Sequence, residues 1–133
     1  MKMKLIIFAV SLGIAGTGTA LAHHSFAAEF DGNKPIRIEG TLSKIEWTNP
    51  HSYFYIDVKD DKGNVVTWGC EGANPGALTR RGIKKGDVKL GDRLIVDGYA
   101  AKDGAHLINA RRIYLNGKPI FGGTEDDGGP GGQ

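Results

Sequence analysis

The sequence predicts an all-β fold, a small five-stranded Greek-key barrel with one short helix between its third and fourth strands. Three observations carry that expectation. Apolar and polar residues alternate through most of the region from Pro35 to Phe121, as half-buried strands require. Helix signals interrupt the alternation once, between Asn74 and Gly82. Turn residues, Asp60-Asp61-Lys62-Gly63-Asn64 and Lys102-Asp103-Gly104, separate neighbouring strand segments.

In the first strand Ile36, Ile38 and Leu42 share one phase, while Ile45 and Trp47 fall on the other. A bulge near Ser43-Lys44 returns both groups to a single core. Asn49-Pro50 makes a tight corner into a second strand that ends near Lys59. There Phe54, Ile56 and Val58 face the core, and His51, Tyr53, Tyr55 and Asp57 face outward. The turn at Gly63 leads to a third strand with Val66, Trp68 and Cys70 on one face. Asn74 then suits a helix cap, Pro75 the first helical position and Gly82 the residue past the end, so Pro75–Arg81 is a short helix. Its apolar Ala77 and Leu78 can only plug something. The fourth strand spans Arg93–Ala100 and the fifth His106–Leu115, with a change of phase between Ile108 and Ile113 that places a bulge at Arg111-Arg112. Three strands, a helix and two strands is the order of the OB-fold, which binds ligands on strands 2 and 3 between the 1–2 and 4–5 loops. Ile38, Leu42, Phe54, Ile56, Trp68, Leu94, Val96 and Ile113 are the expected interior. A small antiparallel sandwich is the alternative architecture.

The flanks follow different rules. Lys2 and Lys4, an apolar run from Leu5 to Ala15, and Ala20-Leu21-Ala22 form the three regions of a signal peptide, so residues 1–22 are expected to be cleaved on export to a bacterial periplasm. The apolar run is too short for a spanning anchor, and no membrane insertion is expected after cleavage. Residues 23–34 form an N-terminal arm, 35–121 the OB-like barrel, and 122–133 a glycine-rich acidic tail expected to be disordered. Removing Lys2 and Lys4 takes Lys plus Arg from 17 to 15, which equals the 15 Asp plus Glu. A mature chain of zero net charge argues against nucleic acid as a partner. Arg80-Arg81, Lys84-Lys85 and Arg111-Arg112 read as solvated faces, and the single cysteine, Cys70, as a buried, inert thiol in a monomer.

Further motifs carry a resemblance. His23-His24-Ser25-Phe26 after the signal, then Trp47-Thr48-Asn49-Pro50-His51, Trp68, Glu71-Gly72, Pro75 to Gly82, and Gly98 to Gly104 together are similar to the small exported bacterial proteins of the domain of unknown function 6152 family. The resemblance covers the whole mature domain. It implies a bacterial, periplasmic, small β-barrel protein and no particular activity.

Cleavage after Ala22 would leave His23 first, and its amine and imidazole can chelate one metal through two nitrogens. His24 adds a further nitrogen, and His51 or His106 of the barrel can complete a nitrogen donor set. Such a set favours Cu(II), the expected cofactor if there is one. Met1 and Met3 both lie in the signal, which excludes a methionine-rich Cu(I) site. The plainer alternative makes His51 a residue that orders the proline corner and His106 a solvated turn residue. A metal-free module then holds an envelope protein or a small organic or glycan ligand on Trp47, Asn49, Tyr53, Tyr55 and Lys102. A structural interaction protein is the third option. The sequence offers no G-x-S-x-G, metalloprotease helix or phosphate loop, so catalysis has no motif to rest on. Intact-mass analysis of protein from the envelope fraction is expected to show a chain starting at His23; a start at any other residue removes the amine chelate.

Overall fold

Alternation, turns and caps resolve into the expected strands, and two elements are added at the ends. The computed structural model describes residues 26–122. The expected signal peptide 1–22, His23, His24 and the tail beyond Gly122 lie outside the described residues. In chain order the elements are α1 (Phe26–Glu29), β1 (Phe30–Glu46), β2 (Tyr53–Lys59), β3 (Val65–Glu71), α2 (Pro75–Arg80), β4 (Arg93–Ala101), β5 (Leu107–Leu115) and β6 (Lys118–Gly122).

The sheet runs β3-β2-β1-β4-β5-β6, and β3 also pairs with β5 in parallel. The order β1-β2-β3-β5-β4 is therefore a closed five-stranded ring of OB-like connectivity, with β6 added along β5. Both expected bulges are present. The β1–β2 register slips between Leu42 and Lys44, leaving Ser43 as the extra residue. The β4–β5 register slips where Asp97 meets Arg112 and Gly98 meets Ala110, leaving Arg111 as the other. Each slip moves the following side chains to the opposite face, so one strand contributes to the core on both sides of its bend.

That core contains Ile38, Leu42, Phe54, Ile56, Leu94, Val96, Ile108 and Ile113, all buried, with Trp47 and Trp68 packed against it half-buried. Cys70 is also fully buried, and desolvation pushes its thiol far up, which keeps it protonated. α2 closes the interior. Asn74 accepts a hydrogen bond from the Ala77 amide at 2.8 Å, Pro75 opens the helix, and Gly82 leaves it at a φ of 85°. Leu78 from this helix is 0% exposed, so the expected plug is in place.

β6 and the start of β1 go beyond the sequence reading. Asn116 and Gly117 both have positive φ, 51° and 75°, and join β5 to β6 as a two-residue hairpin. β1 begins at Phe30, inside the stretch read as an arm, and its first residues pair with the end of β4 at Ala101. Phe26, Phe30 and Ala101 form a second, smaller apolar cluster with Tyr99 and Leu107 against it.

Phe54 is 1% exposed at the centre of the main core. Phe54→Ala is expected to cost about 3–5 kcal/mol, the usual loss for a large ring removed from a packed interior. An unchanged urea midpoint would show that β2 faces the other way.

Candidate functional site

The β1–β2 corner places the site. The Asn49-Pro50 peptide is cis, and the Thr48 hydroxyl donates to the His51 carbonyl at 3.0 Å. Ser52 then joins the next strand's backbone, its amide donating to Ala73 O at 3.2 Å and its carbonyl accepting from Gly72 N at 2.8 Å. This extends the β2–β3 pairing and fixes His51 at the head of β2's outer face. On that face Tyr53 pairs with Glu71, and the parallel β3–β5 ladder sets Glu71 against Asn109.

Glu71 is the centre of the group. The Tyr53 hydroxyl donates to its Oε2 at 3.0 Å and the Asn109 amide to its Oε1 at 3.4 Å. His51 Nε2 lies 3.8 Å from Oε1. Position alone would make Glu71 an outward residue, because Cys70 beside it faces the core. It is nonetheless only 6% exposed, and Asn109 is 0% exposed. α1 packs on the neighbouring strands. Phe26 meets the Tyr99 ring edge-on at 5.5 Å, Arg111 lies over Phe26 at 5.0 Å, and the Lys102 amide donates to Glu29 O at 2.9 Å. Phe26 and Phe30 thus anchor the arm on the outer face of β4 and β5, with the Glu29 carboxylate within electrostatic reach of Glu71 and Tyr53.

Burial raises the Glu71 pKa, and Glu29 raises it further, while His51 and the donors Tyr53 and Asn109 hold it down; the net shift is upward. Burial also pushes the Tyr53 phenol well up, aided by the Glu71 carboxylate. Tyr53 stacks on Tyr55 at 6.3 Å between ring centroids. Tyr55 donates to Glu46 Oε2 at 3.0 Å, and the Lys44 ammonium sits 4.9 Å from the Tyr55 ring. Two half-buried aromatic rings tied to two carboxylates therefore line this face.

The other sequence-predicted residues separate. Trp47 turns inward past the Ser43 bulge and meets Phe54 edge-on at 6.5 Å. Asn49 is exposed at the corner. Lys102 spends its ammonium on the Ala27 carbonyl, which ties the arm to the turn between β4 and β5. His106 is exposed and rests on the Trp68 ring at 5.0 Å, sharing no hydrogen bond, ion pair or ring contact with His51. Among the described residues no three His, Cys, Asp or Glu side chains gather so as to hold a metal ion by themselves. Asn109 was not singled out by the sequence reading, and Glu71 entered it only as part of the Glu71-Gly72 motif and as a carboxylate with no assigned site. The one local signal for Glu71 is its cross-strand partnership with Tyr53, visible only once the β2–β3 register is known.

The upward shift of Glu71 has a definite sign in stability. A carboxyl group whose folded pKa exceeds its unfolded value favours folding most in its protonated form, and that advantage is lost as pH rises through the folded pKa. Glu71→Gln keeps a neutral acceptor for Tyr53. The variant's urea midpoint, relative to the parent's, is therefore expected to rise as pH increases above the ordinary carboxylate value of 4.5. A flat difference from pH ~4 to ~8 would mean that folding leaves the Glu71 titration unchanged, and a shrinking one that the ionised carboxylate is the favoured form.

No curated protein matches the chain. Residues 12–108 match the model of a family of unknown function, DUF6152, which takes in the corner, the tyrosine face, Glu71 and α2. The chain belongs to that family.

Proposed function

We propose that this protein is an exported, periplasmic small-barrel binding protein that takes up Cu(II) through the mature N-terminal His23. The observation that carries this reading is the state of His51. Its Nε2 faces the buried Glu71 carboxylate at 3.8 Å, and its Nδ1 is buried with no hydrogen-bond partner. An imidazole with one nitrogen turned toward a carboxylate and the other without a hydrogen-bond partner has a lone pair to offer a metal, and a closer approach to Glu71 would orient it as ligating histidines usually are. The arm supports it. Phe26 is anchored on the outer face of β4 and β5, the latter the strand that carries Asn109 of this group, and His23 precedes it by three residues, a reach of at most about 11 Å. His23 then supplies amine and imidazole nitrogens and His51 the third donor; His24 is a further donor, and His106 the least favoured.

A second reading has its own support. Tyr53 and Tyr55 are stacked and half-buried beside Glu46 and Glu71. That surface suits a small organic or glycan ligand, or an envelope protein segment, without metal.

Titration of natively exported protein separates them. One Cu(II) per chain is expected, with nitrogen-dominated hyperfine structure in electron paramagnetic resonance. Each imidazole must be neutral to bind, so affinity should fall as pH drops through ~6.5. His51→Ala should weaken binding at least about tenfold, the scale of losing a ligand or its support. One extra residue ahead of His23 should weaken it more. Equal binding by the extended variant would end the copper reading and leave the tyrosine face.

A further inference from the structure

Between α2 and β4 the chain lacks regular structure yet is firmly held. Ile83 and Val88 are buried in the main core, 6% and 5% exposed. The Leu42 amide donates to Asp92 O at 2.9 Å, and Gly91 N donates back to Leu42 O at 2.8 Å. Both acidic side chains of the segment turn onto its own backbone. Asp87 accepts from Lys84 N and Asp92 from Lys89 N, each at 2.8 Å. With apolar anchors inward and carboxylates on the loop's amides, Lys84, Lys85 and Lys89 are left exposed, beside exposed Arg80 in the last turn of α2. Among the described residues none of these four cations is paired with an acidic side chain. Leu90, next to Lys89 in the chain, is 65% exposed, one of two large apolar side chains so exposed among the described residues.

We propose that this loop docks the protein on an anionic phospholipid bilayer. Lysines alone attract any polyanion, so Leu90 decides between partners. A soluble anion offers nothing to an apolar side chain, whereas the bilayer interface accepts one below the headgroups. Balanced charge over the whole mature chain does not cancel the effect, because the field of a charged surface decays within a Debye length and acts on the nearest cations. The attachment is peripheral and reversible. It leaves the tyrosine face and α1 to their own ligands.

Co-sedimentation of the mature chain with vesicles tests this directly. Binding is expected to an equimolar mixture of phosphatidylglycerol and phosphatidylcholine at low salt, with little to phosphatidylcholine alone, and with loss at ~0.5 M salt. The triple variant Lys84→Glu, Lys85→Glu, Lys89→Glu should bind about tenfold or more weakly, since each basic side chain at an anionic surface contributes severalfold. Leu90→Ser, which leaves charge unchanged, should lose about threefold or more. A control triple of equal net charge, Lys34→Glu, Lys59→Glu, Lys118→Glu, should stay within about twofold of the parent. Equal binding to phosphatidylcholine, no binding to the mixed vesicles, or an equal loss in the control would each overturn the proposal.

Discussion

The parallel pairing of β3 with β5 is the contact on which the architecture depends. Gly69, Cys70 and Glu71 meet Leu107, Ile108 and Asn109, and only this short ladder turns an open meander into a ring. Closing a ring from so few strands forces sharp bends and close backbone approach, and glycine marks both places where that happens. A Cβ on Gly98 would run into the Asn109 carbonyl, and one on Gly40 into the Asp57 carbonyl. The same closure carries Asn109 to Glu71. The candidate site is thus a by-product of the ring's seam, and any change that opens the seam removes the site with it.

A polar group buried at a seam needs partners, and its neighbours supply them. A carboxylate on the outer face of an isolated β3 would be solvated at little cost. Glu71 at this seam is desolvated, and its ionised form must be supported by Tyr53, Asn109 and His51. Glu29, brought by the arm itself, opposes that support. The result is a buried acid whose protonated form is favoured by burial first and by the nearby Glu29 of the arm second. Attachment of the arm rests on few contacts, chiefly Phe26, Phe30 and the reach of Lys102 to Ala27 O.

Much of the barrel was legible from the chain because the signals are local. The phase slips between Leu42 and Ile45, and between Ala110 and Ile113, correspond to single bulged residues, Ser43 and Arg111. Asn74, Pro75 and Gly82 delimit α2 through backbone chemistry that does not depend on the rest of the fold. Asn116-Gly117 is an equally local hairpin signal, and β6 could have been read from it; Pro119 and the glycines beyond disguise an edge strand. The site was less legible. His51, Tyr53 and Tyr55 could be placed on one face by alternation alone. Glu71 and Asn109 meet through strands 38 residues apart, and no pattern in either strand announces the other. His106 is a different case: its loop position suggested a shared site with His51, whereas its ring rests on Trp68, whose register partner is the core residue Ile56.

The two surfaces singled out here differ in how their charges are handled, and that difference follows from burial. At the seam, carboxylates are enclosed and held by specific donors, so geometry selects a ligand and small displacements matter. In the α2–β4 loop the carboxylates are bound to nearby amides and the lysines remain in water, so charge density rather than geometry sets the interaction. The ring makes this division possible. It fixes the loop through Ile83, Val88 and the Leu42 backbone, and it fixes the seam through β3 and β5. Salt can therefore strip the exposed loop of its attraction while leaving the buried bonds around Glu71 largely unscreened.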